Sequence, residues 1–108
     1  PVFFTAMVNL LYTVTATLPD RATAEEYVEW LRDGHVDAVV RGGAHAAMIV
    51  RVEEPAEPIR VQTCYTFAGR EAYDRYVREH APALRADGLR RFGPERGIRF
   101  ERSVGVIV

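Results

Sequence analysis

An internal repeat constrains this chain more than anything else in it. The stretches EYVEWLRDGHVDAVVRGG (26–43) and AYDRYVREHAPALRADG (72–88) align with a single gap at Gly34. Tyr27 falls on Tyr73, Trp30 on Tyr76, Leu31 on Val77, Arg32 on Arg78 and Asp33 on Glu79. Beyond the gap, His35 falls on His80, Val39 on Leu84 and Gly43 on Gly88. Each copy carries aromatic and aliphatic residues at helical spacing. A unit that occurs twice, each time between segments of alternating polarity, gives two copies of β-α-β.

The flanking segments supply the strands. Residues 10–18, LLYTVTATL, alternate with a period of two, as do 44–52 and 59–67, and 98–108 make a last strand. The acidic loop EEPAEP joins the middle pair into a hairpin, because its prolines cannot donate to a ladder. Thr23 followed by Glu26 predicts a capping box that starts the first helix at Ala24. Gly34 interrupts that helix, and Pro82 breaks the second at Ala81. The order β-α-β-β-α-β predicts an α+β, ferredoxin-like fold with an antiparallel sheet.

With 108 residues the chain is long enough for one core and one domain. That domain is expected over 7–108, with 1–6 as an extension ahead of a natural start at Met7. Fourteen basic residues, all arginine, against 15 acidic ones leave a net charge of −1. This lacks the basic footprint that nucleic acid or an anionic membrane surface requires. The apolar opening PVFFTAMVNLLYTV has no basic leader region and is too short to span a bilayer. One cysteine, Cys64, forms no intramolecular disulfide and fits a reducing compartment, so the cytoplasm is the expected location. Arg and Ala richness has the look of a high-GC bacterial genome.

Both repeated histidines sit where a helix is interrupted. In one reading each imidazole donates to a helix-end carbonyl and serves the fold alone. In the other, His35 and His80 are catalytic groups at a cleft between helices and sheet. His80 is then the stronger candidate, since it shares the inward stripe of Tyr73, Tyr76 and Val77. Tyr12, Trp30, Tyr65 and Tyr76 are the candidate pocket residues, although aromatics at such spacing also simply fill cores. An enclosed cavity of about 300 Å³ or more with His35 or His80 at its wall is the expectation of the enzyme reading. No cofactor and no metal is expected, because three histidines without an i, i+4 pair or a cysteine partner do not make a ligand set.

The strand pattern places Tyr12, Val14, Met48, Val50, Val61, Tyr65, Phe100 and Val104 on the helix-covered face of the sheet. The opposite face is expected to carry Thr13, Thr15, Thr17, His45, Ile49, Arg51, Arg60, Gln62, Cys64, Thr66, Arg99 and Glu101. That face is dense in long side chains, and the apolar ending SVGVIV would lie on an open edge. A homodimer through the sheet face and the C-terminal strand covers both, with Arg51, Arg60 and Arg99 paired to Glu101 or to partner groups.

Taken with this element order, the Trp-containing first helix ending in GHVDAVV and the run YDRYVREHAPALRADGLRRFG resemble the dimeric α+β barrel superfamily. That superfamily includes EthD-like and antibiotic-biosynthesis-monooxygenase-like proteins. Within it the chain is similar to a small bacterial family known only as a domain of unknown function. The match runs from Tyr12 to Val108 and is most specific from Tyr73 to Gly93. Val36-Asp37 stands where that family has Ile-Pro, and Arg41-Gly42-Gly43 lies near its Thr-Gly. The resemblance implies the fold and a homodimer. It leaves two functions open: binding of a small molecule in the cleft, as in a cofactor-free oxygenase or isomerase, or a non-catalytic structural or regulatory dimer.

Overall fold

The computed structural model describes residues 8–108. The expectations for 1–6, and for a start at Met7, fall outside them. Strand β1 (Leu10–Leu18) leads into helix α1 (Arg21–Trp30), a kinked turn (Leu31–His35) with non-helical backbone at Asp33 and Gly34, and helix α2 (Val36–Arg41). Strands β2 (Ala46–Arg51) and β3 (Ile59–Phe67) form the hairpin. Helices α3 (Arg70–Glu79) and α4 (Ala81–Arg91) follow, then a short 3₁₀ turn (Pro94–Arg96) and strand β4 (Arg99–Val106). The four strands lie in the order β2-β3-β1-β4 with every neighbouring pair antiparallel. This is the expected ferredoxin-like arrangement, with the helices on one face of the sheet.

The alternation in β1 and β3 gives the inner face directly. Leu10, Tyr12, Ala16 and Leu18 are buried on β1, and Val61, Thr63, Tyr65 and Phe67 on β3. Strand β2 corrects the sequence reading by one residue. Ala47 opposes Tyr65, Ile49 opposes Thr63 and Arg51 opposes Val61, so these three share the helix-covered face. Met48 and Val50 face outward instead, and Met48 is 59% exposed. AAMIV has apolar residues at both parities, so its alternation carries no information about faces; pairing with β3 decides. Arg51, expected on the outer face, therefore reaches Glu25 of α1 through two bonds of 2.9 and 2.7 Å. Arg60 folds back on its own loop, donating to the carbonyls of Pro58 and Pro55. His45 lies just ahead of β2 and is exposed.

Helix α1 begins three residues earlier than expected. The cap is Asp20, whose carboxylate accepts from the Thr23 amide at 2.7 Å, so Thr23 stands inside the first turn. Glu26 is thereby released from any capping box and binds the Arg96 guanidinium at 3.3 and 2.8 Å. The Thr23 bonds hold the Asp20 carboxyl below its ordinary range. Asp20→Ala is expected to lower the melting temperature by a few degrees, and Thr23→Ala, which keeps the amide donor, by clearly less. Thermal denaturation of both variants checks the assignment.

Two clusters make up the core. One gathers Ala16, Leu18, Tyr27, Val28, Leu31, Val61, Phe92 and Ile98; the other gathers Leu10, Tyr12, Val39, Tyr65, Phe67, Tyr76 and Ala81. Val36 packs against both. Burying each large apolar side chain contributes on the order of 2 kcal/mol. The kink between α1 and α2 lets one segment serve both clusters. At Gly34, φ is +110°, a backbone region in which a side chain is strained, and the chain changes direction there.

Candidate functional site

Between the two clusters the sheet has short side chains on its two central strands, Val14 and Thr63. Val14 is flanked by Thr63 on β3 and by Arg102 on β4. The next row toward one end holds Tyr65 and Tyr12, and the next toward the other holds Val61, Ala16 and Phe100. Val14 and Thr63 are short beside the Tyr65 and Tyr12 rings, and the helices roof the space above them without filling it. The resulting cavity, about 40 Å³, is lined by Tyr27 and Trp30 of α1, His35, Val39 of α2, Tyr76 of α3, and Leu84, Arg85 and Gly88 of α4. Its sheet wall is Tyr12, Val14, Thr63, Tyr65, Phe100 and Arg102. At roughly 10–15 Å³ per water this holds about three waters, well below the expected 300 Å³. It opens to solvent beside Leu89 and Arg102, both exposed lining residues.

The repeat is visible in the lining. Trp30 and Tyr76 are repeat equivalents, as are Val39 and Leu84, and all four face the cavity. The histidines break the symmetry. His35 is at the wall, its ring stacked on Trp30 with centroids 4.1 Å apart. His80 is exposed at the junction of α3 and α4, outside the lining. Its ring covers Gly42, where an added Cβ would come within 3.0 Å of the imidazole Cγ. Among the described residues neither imidazole hydrogen-bonds to a helix carbonyl.

Tyr12, Trp30, Tyr65 and Tyr76 all stand in the wall, with Tyr12 at the centre. Its ring lies 5.8 Å from that of Tyr65, 5.4 Å from Tyr73 and 6.2 Å from Tyr76. Its hydroxyl oxygen accepts from Arg85 Nη2 at 3.3 Å and from Arg102 Nε at 3.2 Å. Sequence reasoning missed both arginines, although each carried a signal. Arg102 has the inward parity of Phe100 and Val104, and Arg85 lies one turn after the buried Ala81 on α4. Gly88 is small for a reason: a Cβ there would meet the Trp30 ring at 3.3 Å. The described residues bring no three His, Cys, Asp or Glu side chains together as a metal site.

Burial sets the protonation of the wall. It pushes the Tyr65 phenol up to about 12 and raises those of Tyr27 and Tyr76 further, so all three are O–H donors at neutral pH. It also lowers His35 from 6.5 to about 4, with Asp87 acting weakly in the opposite direction. His35 is therefore a neutral imidazole at pH 7 and a weaker base than a free histidine. Because the folded value lies below the unfolded one, the neutral ring favours folding above pH 6.5, and that contribution is lost as pH falls toward 4. The shift has a ceiling of about 3 kcal/mol, reduced to about 1–2 kcal/mol by the solvent-facing part of the ring. His35→Gln is expected to flatten this part of the stability profile relative to the wild type. Denaturant titrations between these pH values check it.

The sequence pattern of a family described as a domain of unknown function, DUF4286, matches residues 9–104, which include every cavity-lining side chain. The chain belongs to this family. The curated proteins hold no match to this DUF4286 chain. Solved structures do match it. An ethyl tert-butyl ether D (EthD) family protein from Bacillus halodurans superposes with a TM-score of 0.70 at 13% identity, over 94% of this chain and 100% of its own. A protein from an uncultured marine organism, described as a dimeric ferredoxin-like protein, gives 0.65 at 17% identity, over 94% and 96%. SnoaB, a cofactor-independent oxygenase from Streptomyces nogalater, gives 0.60 at 11% identity, over 94% and 92%. At these identities the DUF4286 chain shares their fold.

Proposed function

We propose that this DUF4286 protein binds a small aromatic molecule in the cavity between its two core clusters and works as a homodimer. One observation carries the reading: a partly open cavity walled by tyrosine, tryptophan and phenylalanine rings, with a neutral imidazole and buried hydroxyls at its surface. Ligand pockets combine this kind of apolar wall with a few placed polar groups. The oxygenase activity of SnoaB, on the same fold, supports cofactor-free chemistry as the reaction class. In that case His35, the imidazole at the wall, takes a proton from the bound molecule only as the negative charge left on that molecule offsets the burial that weakens it as a base, and the rings hold the molecule in place. His80, exposed beyond the wall, has a packing role over Gly42.

The cavity's volume favours a second reading, in which the site binds a ligand without turning it over and the dimer is regulatory. Fluorescence and oxygen uptake separate the two. Trp30 is the chain's one tryptophan and lines the cavity, so occupancy quenches the only indole emission. A panel of single-ring aromatics that quenches Trp30 with no oxygen consumption or product points to the binding protein. Turnover abolished by His35→Gln, with the melting temperature nearly kept at pH 7, points to the enzyme. A panel that leaves Trp30 unchanged sinks both.

The homodimer draws on the fold neighbour described as dimeric and on the outer sheet face. There, Thr66 Oγ1 is buried with no partner among the described residues, and Leu11 and Met48 present apolar surface. At the edge, β4 ends in Val104, Val106, Ile107 and Val108, all exposed in one chain. A second copy packed on this face and strand covers them together.

A further inference from the structure

Two cationic side chains enter the cavity wall from different elements and meet on one phenol. Arg85 comes from α4 and Arg102 from β4, and they donate to Tyr12 Oη at 3.3 and 3.2 Å. Neither is among the described ion pairs, which use Arg51, Arg70, Arg90, Arg91 and Arg96. The hydrogen-bond inventory then leaves two donors over. A phenol oxygen has two lone pairs and one proton; with both lone pairs taken by guanidinium N–H groups, Tyr12 has only its O–H left, and that can only donate. Arg85 Nε is buried and has no acceptor among the described residues. Buried donors without acceptors are uncommon, and a charged one is the costlier kind.

We propose that Arg85, Arg102 and the Tyr12 hydroxyl form a subsite for a ligand oxyanion, so that the molecule taken up is a single-ring aromatic bearing a carboxylate or a phenolate-like oxygen. The inference rests on the reading that the cavity takes a small aromatic molecule, and it specifies that molecule's charge and where the charge sits. The oxyanion accepts from Tyr12 O–H and from guanidinium N–H groups, among them the donor that now lacks a partner. The ring lies against Tyr65, Tyr76 and Trp30. A guanidinium on a carboxylate makes the strong, charge-assisted form of the hydrogen bond, and desolvation by the surrounding rings strengthens it. With room for about three waters the cavity takes at most one ring, whose charged end lies at the open side beside Arg102. The negative charge also compensates two arginines that no described carboxylate neutralises.

The test compares benzoate with benzamide, its neutral near-isostere, on the full chain at neutral pH, by Trp30 quenching and by calorimetry. Benzoate is expected to bind at least about tenfold more tightly than benzamide. Arg85→Met and Arg102→Met are each expected to remove most of that preference while changing benzamide affinity less than about twofold. Equal affinities of the wild type for the two compounds overturn the oxyanion subsite while leaving the aromatic pocket standing. An equal loss of both ligands in the arginine variants overturns it too. If neither compound quenches Trp30 at millimolar concentration, the pocket itself fails and this proposal fails with it. The wild-type comparison needs no variant, so misfolding of an arginine mutant does not blunt the test. Phenol compared at pH values either side of its own ionisation distinguishes a phenolate from a carboxylate requirement.

Discussion

Tyr12→Ala is expected to lower the melting temperature by roughly 15–30 °C, from a loss of about 4 kcal/mol at about 4–8 °C per kcal/mol in a domain this size. Tyr12 is 2% exposed, and four other rings, Tyr65, Phe67, Tyr73 and Tyr76, lie around it with centroids within 6.4 Å. Truncation removes the common neighbour of that group and enlarges a cavity that is already open, so the surroundings have little chance to close over it. It also strips the oxygen that Arg85 and Arg102 share. Tyr12→Phe separates the two effects: the ring stays and the acceptor goes, at a cost of about 1–3 kcal/mol. Differential scanning calorimetry on both variants decides the matter. If Tyr12→Ala costs less than about 2 kcal/mol, the ring cluster is not the keystone described above.

Leu11→Glu is expected to turn the proposed homodimer into monomers, raising the dissociation constant by a factor of a thousand or more. Leu11 is half-buried in one chain and sits in the central strand β1 on the outer face, between Thr66 and Gly105. A carboxylate introduced there is buried unpaired when two sheets meet, at about 3–5 kcal/mol in each copy, with each 1.4 kcal/mol worth tenfold. In an isolated chain the same carboxylate is hydrated, so the fold survives. Sedimentation at micromolar concentration should give twice 12.2 kDa for the wild type and 12.2 kDa for the variant. A wild type that sediments as a single chain refutes the dimer.

The element order and the inner face of β1 and β3 were legible because alternation there is nearly complete: apart from Thr63 inside and Leu11 outside, the small polar residues and the apolar ones fall on opposite parities. Legibility failed where the local pattern was degenerate. AAMIV reads equally well with either face inward, so Met48 and Ile49 exchanged places until the pairing with β3 was known. The first helix had two credible caps, and Asp20 is as strong a cap as Thr23 while lying one turn earlier. The cavity wall was readable in part: Tyr12, Trp30, Tyr65 and Tyr76 stand on inward stripes that the sequence displays. His35 was harder to place, because the kink at Asp33 and Gly34 redirects everything after it by an amount that only Gly34 hints at. Arg85 and Arg102 went unread for a different reason. They occupy inward positions, and a charged residue inside a hydrophobic stripe is easily discounted when the pattern is sought in apolar residues alone.

The division of the core into two clusters, with strands β1 and β3 running through both and Val36 as their one shared helical side chain, has a consequence for how the molecule opens. Cooperative units in native proteins follow contiguous packing, and here the packing narrows to a waist at Val14 and Thr63. The α1 amides belong with one cluster, and those of α2 and α3 with the other. In native-state hydrogen exchange they should fall into two groups, each with its own opening free energy below the global value. Amides in the middle of β1 and β3, held by both groups, should exchange only when the whole chain unfolds. A ligand that fills the waist would join the groups, so the clearest sign of occupancy would be the merging of two protection levels into one.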